Sequence, residues 1–403
     1  MTQVIEAKAI LSAADKTGGV FASIAAKIRG MNAAASAANR SAMASGAAVA
    51  AAHKGNAGIA AKVGGMSDAA LMAASRIAAP AAIAVAAGKA IKRYADIDIA
   101  MKRIGITADA TDEDISKFHK SLRQVSDDNS LPFDKVKEGM DSLIAGGMEL
   151  GKANEMIGTV SKTAQASGAD VADLATTVLS LNQNAEIGSG QMQQSLDMLA
   201  KAGKEGKFEL KDMARYLPSI LPAAAAVGTK GVEGVQKMSA ALQTMRLGAG
   251  TSEEAATNML NVFSKMNSEQ TVKKFAKEFG VDLPKSMAKA KKEGKDAFEA
   301  FLDITENTVK GDWGQLPKLF QDMQVQAGMR AMMMYRKDYE RIKNSIASSA
   351  GTIDTDLGRI LDTPAAKMEK MKNAADRLVE SVGHGLVAAF DKASNAGSKL
   401  FGG

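Results

Sequence analysis

Between Tyr94 and about Lys343 the apolar residues recur every three or four positions and almost never alternate, which predicts a run of short amphipathic helices without strands. Thr111 with Asp114 forms a capping-box pair ahead of Ile115, Phe118, Leu122 and Val125, all on one helical face. Leu131-Pro132 opens the next element, whose inner face is Val136, Met140, Leu143 and Ile144 before Gly146-Gly147 closes it. Met156, Val160 and Thr163 mark another helix, ended by Gly168. Asp170 then caps a stripe of Val171, Leu174, Val178 and Leu181. Thr251 and Glu254 repeat the box before Met259, Leu260 and Phe263. Helices of this length joined by short turns predict an orthogonal or layered bundle.

The flanks read differently. Val4, Ile10, Leu11, Phe21, Ile24, Ile28 and Met31 sit at mostly helical spacing within an alanine-dominated stretch, a stripe too narrow to bury itself. Glycine pairs at 18–19 and 64–65, with Gly55 and Gly58, mark breaks. Pro80 is expected to end or kink what precedes it, with a fresh helix over 81–104. From Ile353 turn signals thin out again, and Met368, Met371, Leu378, Val382 and Leu386 run along one further helix. The predicted architecture is all-α: an Ala/Gly-rich basic arm over 1–93, a compact multi-helix core over 94–345, and a C-terminal helical arm over 346–403.

Composition alters this picture in three ways. Much of the 46% hydrophobic fraction is alanine, and aromatics make up only 4% with a single Trp313, so Leu, Ile, Val and 24 Met should supply a shallow core. Charge is uneven. Residues 1–93 hold eleven Lys and Arg against Glu6, Asp15 and Asp68, a surplus of eight within an overall +6, so residues 94–403 carry −2. A basic arm on a near-neutral body suits an acidic neighbour. The first fourteen residues contain Glu6 and Lys8 where a signal peptide needs an apolar run, and the apolar windows at 77–88 and 217–228 are too short to span a bilayer.

Candidate chemistry is sparse. The chain has no cysteine, which excludes disulfides and thiolates, and its histidines His53, His119 and His384 are too far apart to form a local metal-ligand pair. Gly146 to Gly151-Lys152 has phosphate-loop spacing, yet Ala153 stands where a Ser or Thr hydroxyl should ligate magnesium and a helix precedes it. A turn between helices explains the glycines. His119, near Asp112, Asp114 and Asp127, lacks any accompanying nucleophile and reads as an exposed helical histidine; His384 sits between Gly383 and Gly385, too flexible a place for a base. Met329, Met332, Met333 and Met334 with Tyr335 and Tyr339 read as core filling, and Lys289, Lys291, Lys292 and Lys295 as a solvated face. No catalytic, cofactor or metal residue is assigned.

With the helices placed, residues 94–344 resemble the shared region of phage tail tape measure proteins of the minor-tail class. The resemblance rests on elements taken in order: Tyr94-Ala-Asp-Ile-Asp to Ile104-Gly-Ile-Thr; Leu122 to Ser126; Leu143 to Ala153; Thr163 to Thr176; Gly248 to Ser252; Phe279 to Leu283; Gly294 to Leu302; and Leu316 to Phe320. Many members run far longer and several carry a peptidoglycan-cleaving domain, for which this chain has no catalytic pattern. Fully helical, 403 residues would reach at most ~600 Å at ~1.5 Å per residue.

The resemblance implies a structural virion protein in the tail tube lumen, present in the host cytoplasm during assembly. It would set tube length and leave on infection. Implied partners are further copies of the chain, the narrow apolar stripes of both arms associating as a parallel bundle of three, the tail tube protein, baseplate or tail-tip hub proteins, tail assembly chaperones, and transiently the host membrane, with no specific nucleic-acid site. Two other classes compete: a basic Ala-rich nucleic-acid-coating protein, disfavoured by the thin spread of its basic residues, and a helical membrane-perforating protein. An enzyme is the least expected class.

Overall fold

The computed structural model describes residues 68–401, and among them every regular element is helical. The apolar stripe from Val4 to Met31 and the glycine breaks up to 65 lie outside the described residues. By contact pattern the described residues form a larger unit, Met101–Ala374, and a smaller one that brings residues 68–100 together with residues 375–401.

In the larger unit α2 (Asp112–Asp128), α3 (Phe133–Ala145), α4 (Leu150–Ser167), α5 (Val171–Gln183), α6 (Ser189–Glu205), α7 (Leu210–Ala226), α8 (Gly231–Leu247) and α9 (Ser252–Lys265) zigzag through the fold. Alternate helices stack. Helices α3, α5, α7 and α9 form one row, and α4, α6 and α8 a second. After an inserted lobe, α14 (Met323–Met334), α15 (Arg336–Ile346) and α16 (Thr352–Leu361) run back as a third row, α14 on α8 and α9, α15 on α6 and α8, and α16 on α4 and α6. The bundle is thus layered. Asp197, buried on α6, fixes the end of the third row by accepting the backbone N–H groups of Gly351 (3.2 Å) and Ile353 (2.8 Å).

Sequence pattern accounts for the local geometry. The Thr111–Asp114 box forms, with Thr111 Oγ1 accepting from Asp114 N and the Asp114 carboxylate accepting from Thr111 N. At Thr251 only half of it does: the Glu254 carboxylate reaches back past the cap to Gly250 N at 2.8 Å. Pro132 is the N-cap of α3, not its first helical residue. Helix α8 is buried almost all round, as the central helix of three rows must be, and its buried Ser239, Gln243 and Thr244 side chains donate to backbone carbonyls. Gln243 on α8 pairs both ways with the Phe208 backbone, donating to its carbonyl at 2.6 Å and accepting from its N–H at 3.1 Å.

Helix α7 contains Pro218 and Pro222. Proline cannot donate to the carbonyl four residues back, so Pro218 frees Ala214 O. Thr177 Oγ1 on α5 takes that carbonyl at 2.9 Å, so the break inside one helix becomes a bond to its row neighbour.

The lobe comprises α10 (Glu269–Phe279), α11 (Leu283–Lys292), α12 (Ala297–Val309), a 3-10 turn over Trp313–Gln315, and α13 (Leu316–Leu319). Here the expectation of a shallow core fails. Phe275, Phe301 and Phe320 pack mutually with ring centroids 6.0–6.2 Å apart, and Phe263 meets Phe298 at 5.4 Å. Few aromatics are present, but they are concentrated where the helices are shortest and need the most area per residue.

In the smaller unit the paired helices are α1 (Asp68–Thr107) and α17 (Pro364–Phe401), each of which also contributes residues to the larger unit. Helix α1 continues through Pro80 without the expected restart. Arg93 grips Asp376 with two bonds of 2.8 Å, and Tyr94 meets His384 edge-on at 5.2 Å. The expectation of a flexible Gly383-His384-Gly385 is corrected: a Cβ on Gly383 would sit 2.1 Å from Ala90 O, so glycine is there to let two helix backbones touch.

Candidate functional site

The residues singled out by sequence are scattered, not convergent. Gly146 caps α3, Gly147 takes φ +89°, and Lys152 pairs with Glu149 at 3.4 Å across the first turn of α4, so the phosphate-like spacing is an interhelical turn launched by a helix. A Cβ on Gly146 would fall 2.0 Å from Leu179 Cδ2, which gives that glycine a packing reason. His119 is half-buried, not exposed as expected: its ring meets Phe133 edge-on at 5.4 Å while the Arg123 guanidinium covers the same Phe133 ring at 3.7 Å. Met329, Met332 and Met333 are core residues and Met334 is exposed. Lys289 and Lys295 reach Glu293 (3.9 Å) and Asp303 (3.1 Å). No group of three or more metal-ligating side chains occurs among the described residues.

What sequence reasoning did not find is an ion network between the lobe and the rows. Asp296, just before α12, and Glu299 and Asp303 on it lie on one face. One Glu299 oxygen accepts from Tyr339 Oη (2.9 Å) and Lys343 Nζ (2.7 Å), and the other faces Lys237 Nζ at 3.2 Å. Arg336 on α15 holds Asp303 at 2.9 Å. Asp296 caps α12, accepting from Phe298 N (2.8 Å) and Glu299 N (3.2 Å). The only sequence hint was the Asp296-x-x-Glu299-x-x-x-Asp303 spacing.

Two carboxylates three residues apart respond oppositely to their surroundings. Burial pushes Glu299 up, but the hydrogen bonds from Lys343 and Tyr339 and the charge of Lys237 more than offset this and hold it below the usual carboxylate range. Asp296 is more deeply enclosed, and burial wins over its backbone bonds and Lys237, raising it. Burial and the adjacent Glu299 push the Tyr339 hydroxyl far up, so it stays a donor. Burial lowers Lys237 and Lys343, yet their carboxylate partners leave both raised. Tyr339, Lys237 and Lys343 are each matched to a carboxylate; the arrangement fastens helices together.

The remaining surface offers shallow depressions. One is lined by Ala166, Ala200, Gly203 and Leu210 and bridged by Lys204 to Asp356 at 2.7 Å. More distinctive are Met368, Met371 and Leu378 on α17, which are 58%, 62% and 52% exposed. Among the described residues no helix is long and apolar enough to cross a membrane.

Residues 119–332, which run from α2 into α14, match the family described as phage-related minor tail protein. The probable tape measure protein of Burkholderia phage BcepMu is 28% identical over 339 residues, covering 77% of this chain. The chain spans 40% of that relative's length. No solved structure matches the chain. With more than half of its residues matched, the chain belongs to the phage-related minor tail protein family.

Proposed function

We propose that the protein is a tail tape measure, a structural and non-enzymatic virion component that lies within the tail tube and sets its length. The observation that carries this is the 28% identity, over most of the chain, to a protein named a probable tape measure protein. Helix geometry supports it: a helix converts residue count into distance with little error, and the 40-residue α1 alone would extend ~60 Å at ~1.5 Å per residue. Alanine keeps such a helix thin. In this reading the tube protein polymerises around the chain, baseplate or hub proteins hold one end, and tail assembly chaperones keep it soluble beforehand. Copies of the chain associate through the apolar stripe of the basic N-terminal arm, three to a bundle. The positive surplus of residues 1–93 faces an acidic lumen, and the chain leaves ahead of the DNA.

Fractionated particles test this reading. The protein should copurify with intact tails and be absent from isolated capsids. It should resist added protease until the tail is opened. Recovery with capsids, or cleavage in closed tails, contradicts a place inside the tube.

A further inference from the structure

Helix α17 turns a largely polar face inward and leaves its apolar stripe outside. Ala366, Asn373 and Gly383 are buried, with Glu369, Asp376 and Glu380 half-buried on the same face. At ~100° per residue the exposed Met368, Met371, Ala375 and Leu378, with the half-buried Val382, share an arc of ~80° centred ~150° away, nearly opposite. Their spacing of three and four is the seam of a two-helix coil. Charge is sorted the same way. The carboxylates of α17 up to Val382 all lie on the inner face, where Asp376 is held by Arg93. Lys367 and Lys372 border the outer stripe on its two sides, with Lys370 further round; Lys372 reaches Glu369 at 2.9 Å, and Lys367 lies 4.0 Å from Asp362.

We infer that this outer stripe docks an acidic amphipathic helix from a different protein. A second copy of α17 is a poor occupant. Laid parallel it sets lysine against lysine; laid antiparallel it sets them against residues 381–390, which contain no carboxylate. Residues 1–67 fit no better, with seven Lys and Arg against Glu6 and Asp15. A partner seam of apolar residues flanked by Asp or Glu satisfies both features at once, the apolar contact giving affinity and the flanks selecting orientation. The inference stands apart from the ruler reading, since it concerns what binds α17 and not where the chain resides.

Two synthetic helices test it against the full chain by fluorescence anisotropy, both with Leu at the a and d positions, one with Glu and one with Lys at e and g. The Glu helix should bind about tenfold more tightly or better at low salt, with the difference shrinking as salt screens the flanks. Lys367→Glu, Lys370→Glu and Lys372→Glu combined should reverse the preference, and Leu378→Asp should abolish binding of both. All four positions are exposed, so circular dichroism should be unchanged. Equal affinity for the two helices, binding to neither, binding that survives Leu378→Asp, or self-association that Leu378→Asp dissolves would each overturn the assignment.

Discussion

Replacing Phe301 with alanine will open the lobe α10–α13 while the stacked rows stay folded. Phe301 is fully buried and touches both Phe275 and Phe320, so truncation removes its own burial and leaves a cavity bounded by two rings. Such losses cost about 3–5 kcal/mol. Four short helices have little else to hold them together, since their aromatic cluster is their core. Amide exchange should therefore speed up throughout Glu269–Leu319 and remain slow in α5 and α8. Uniform acceleration across all helices would show that the lobe and rows melt as one unit.

Glu299→Ala should cost about 3 kcal/mol, because it leaves two ammonium groups and a hydroxyl without their shared acceptor in a partly desolvated site. Side-chain exposure is 17% for Glu299, 10% for Lys237 and 20% for Lys343, low enough for solvent not to replace the lost partner fully. Urea unfolding measures the loss, and adding Lys237→Met and Lys343→Met should restore most of it. A loss under about 0.5 kcal/mol, the range of exposed pairs, would contradict the network's importance. The pH dependence follows from the shifts. Glu299 is depressed in the folded state, so its contribution is fully present above the unfolded value of about 4.3 and disappears as pH falls through the lower folded value. Asp296 is raised, so folding favours its protonated form and stability falls as pH rises from about 3.9 through the raised value. Lys237 and Lys343 are raised, so their share persists below about 10.4 and is lost above that as pH climbs through their folded values. Glu299→Gln should accordingly flatten the acid limb of the stability curve.

Features encoded within one helical turn were legible from sequence alone. Thr111 with Asp114, Asp170 with Ala172 N, and the left-handed Gly168 that ends α4 depend on neighbours at most four residues away. The buried faces of α3 and α5 followed from spacing for the same reason. Distance in sequence hid the rest. Glu299 finds Tyr339 and Lys343 forty and forty-four residues later, on the row that runs back, and nothing in a local window announces such a partner. The compensation for Pro218 was hidden in the same way, because Thr177 lies thirty-seven residues before the Ala214 carbonyl it takes. Gly383 looked flexible because sequence cannot show that another backbone lies against it. On α17 the apolar stripe is visible in sequence, and only the fold shows that it faces outward.

In the proposed ruler reading, the residue count of the arms is what sets tail length. Tail length measured by electron microscopy, in particles whose N-terminal arm has been shortened or lengthened in frame, tests that claim most directly. Removing 40 residues should shorten tails by about 60 Å, and inserting 40 should lengthen them equally, at ~1.5 Å per residue. Tails of unchanged length in both variants would contradict the account.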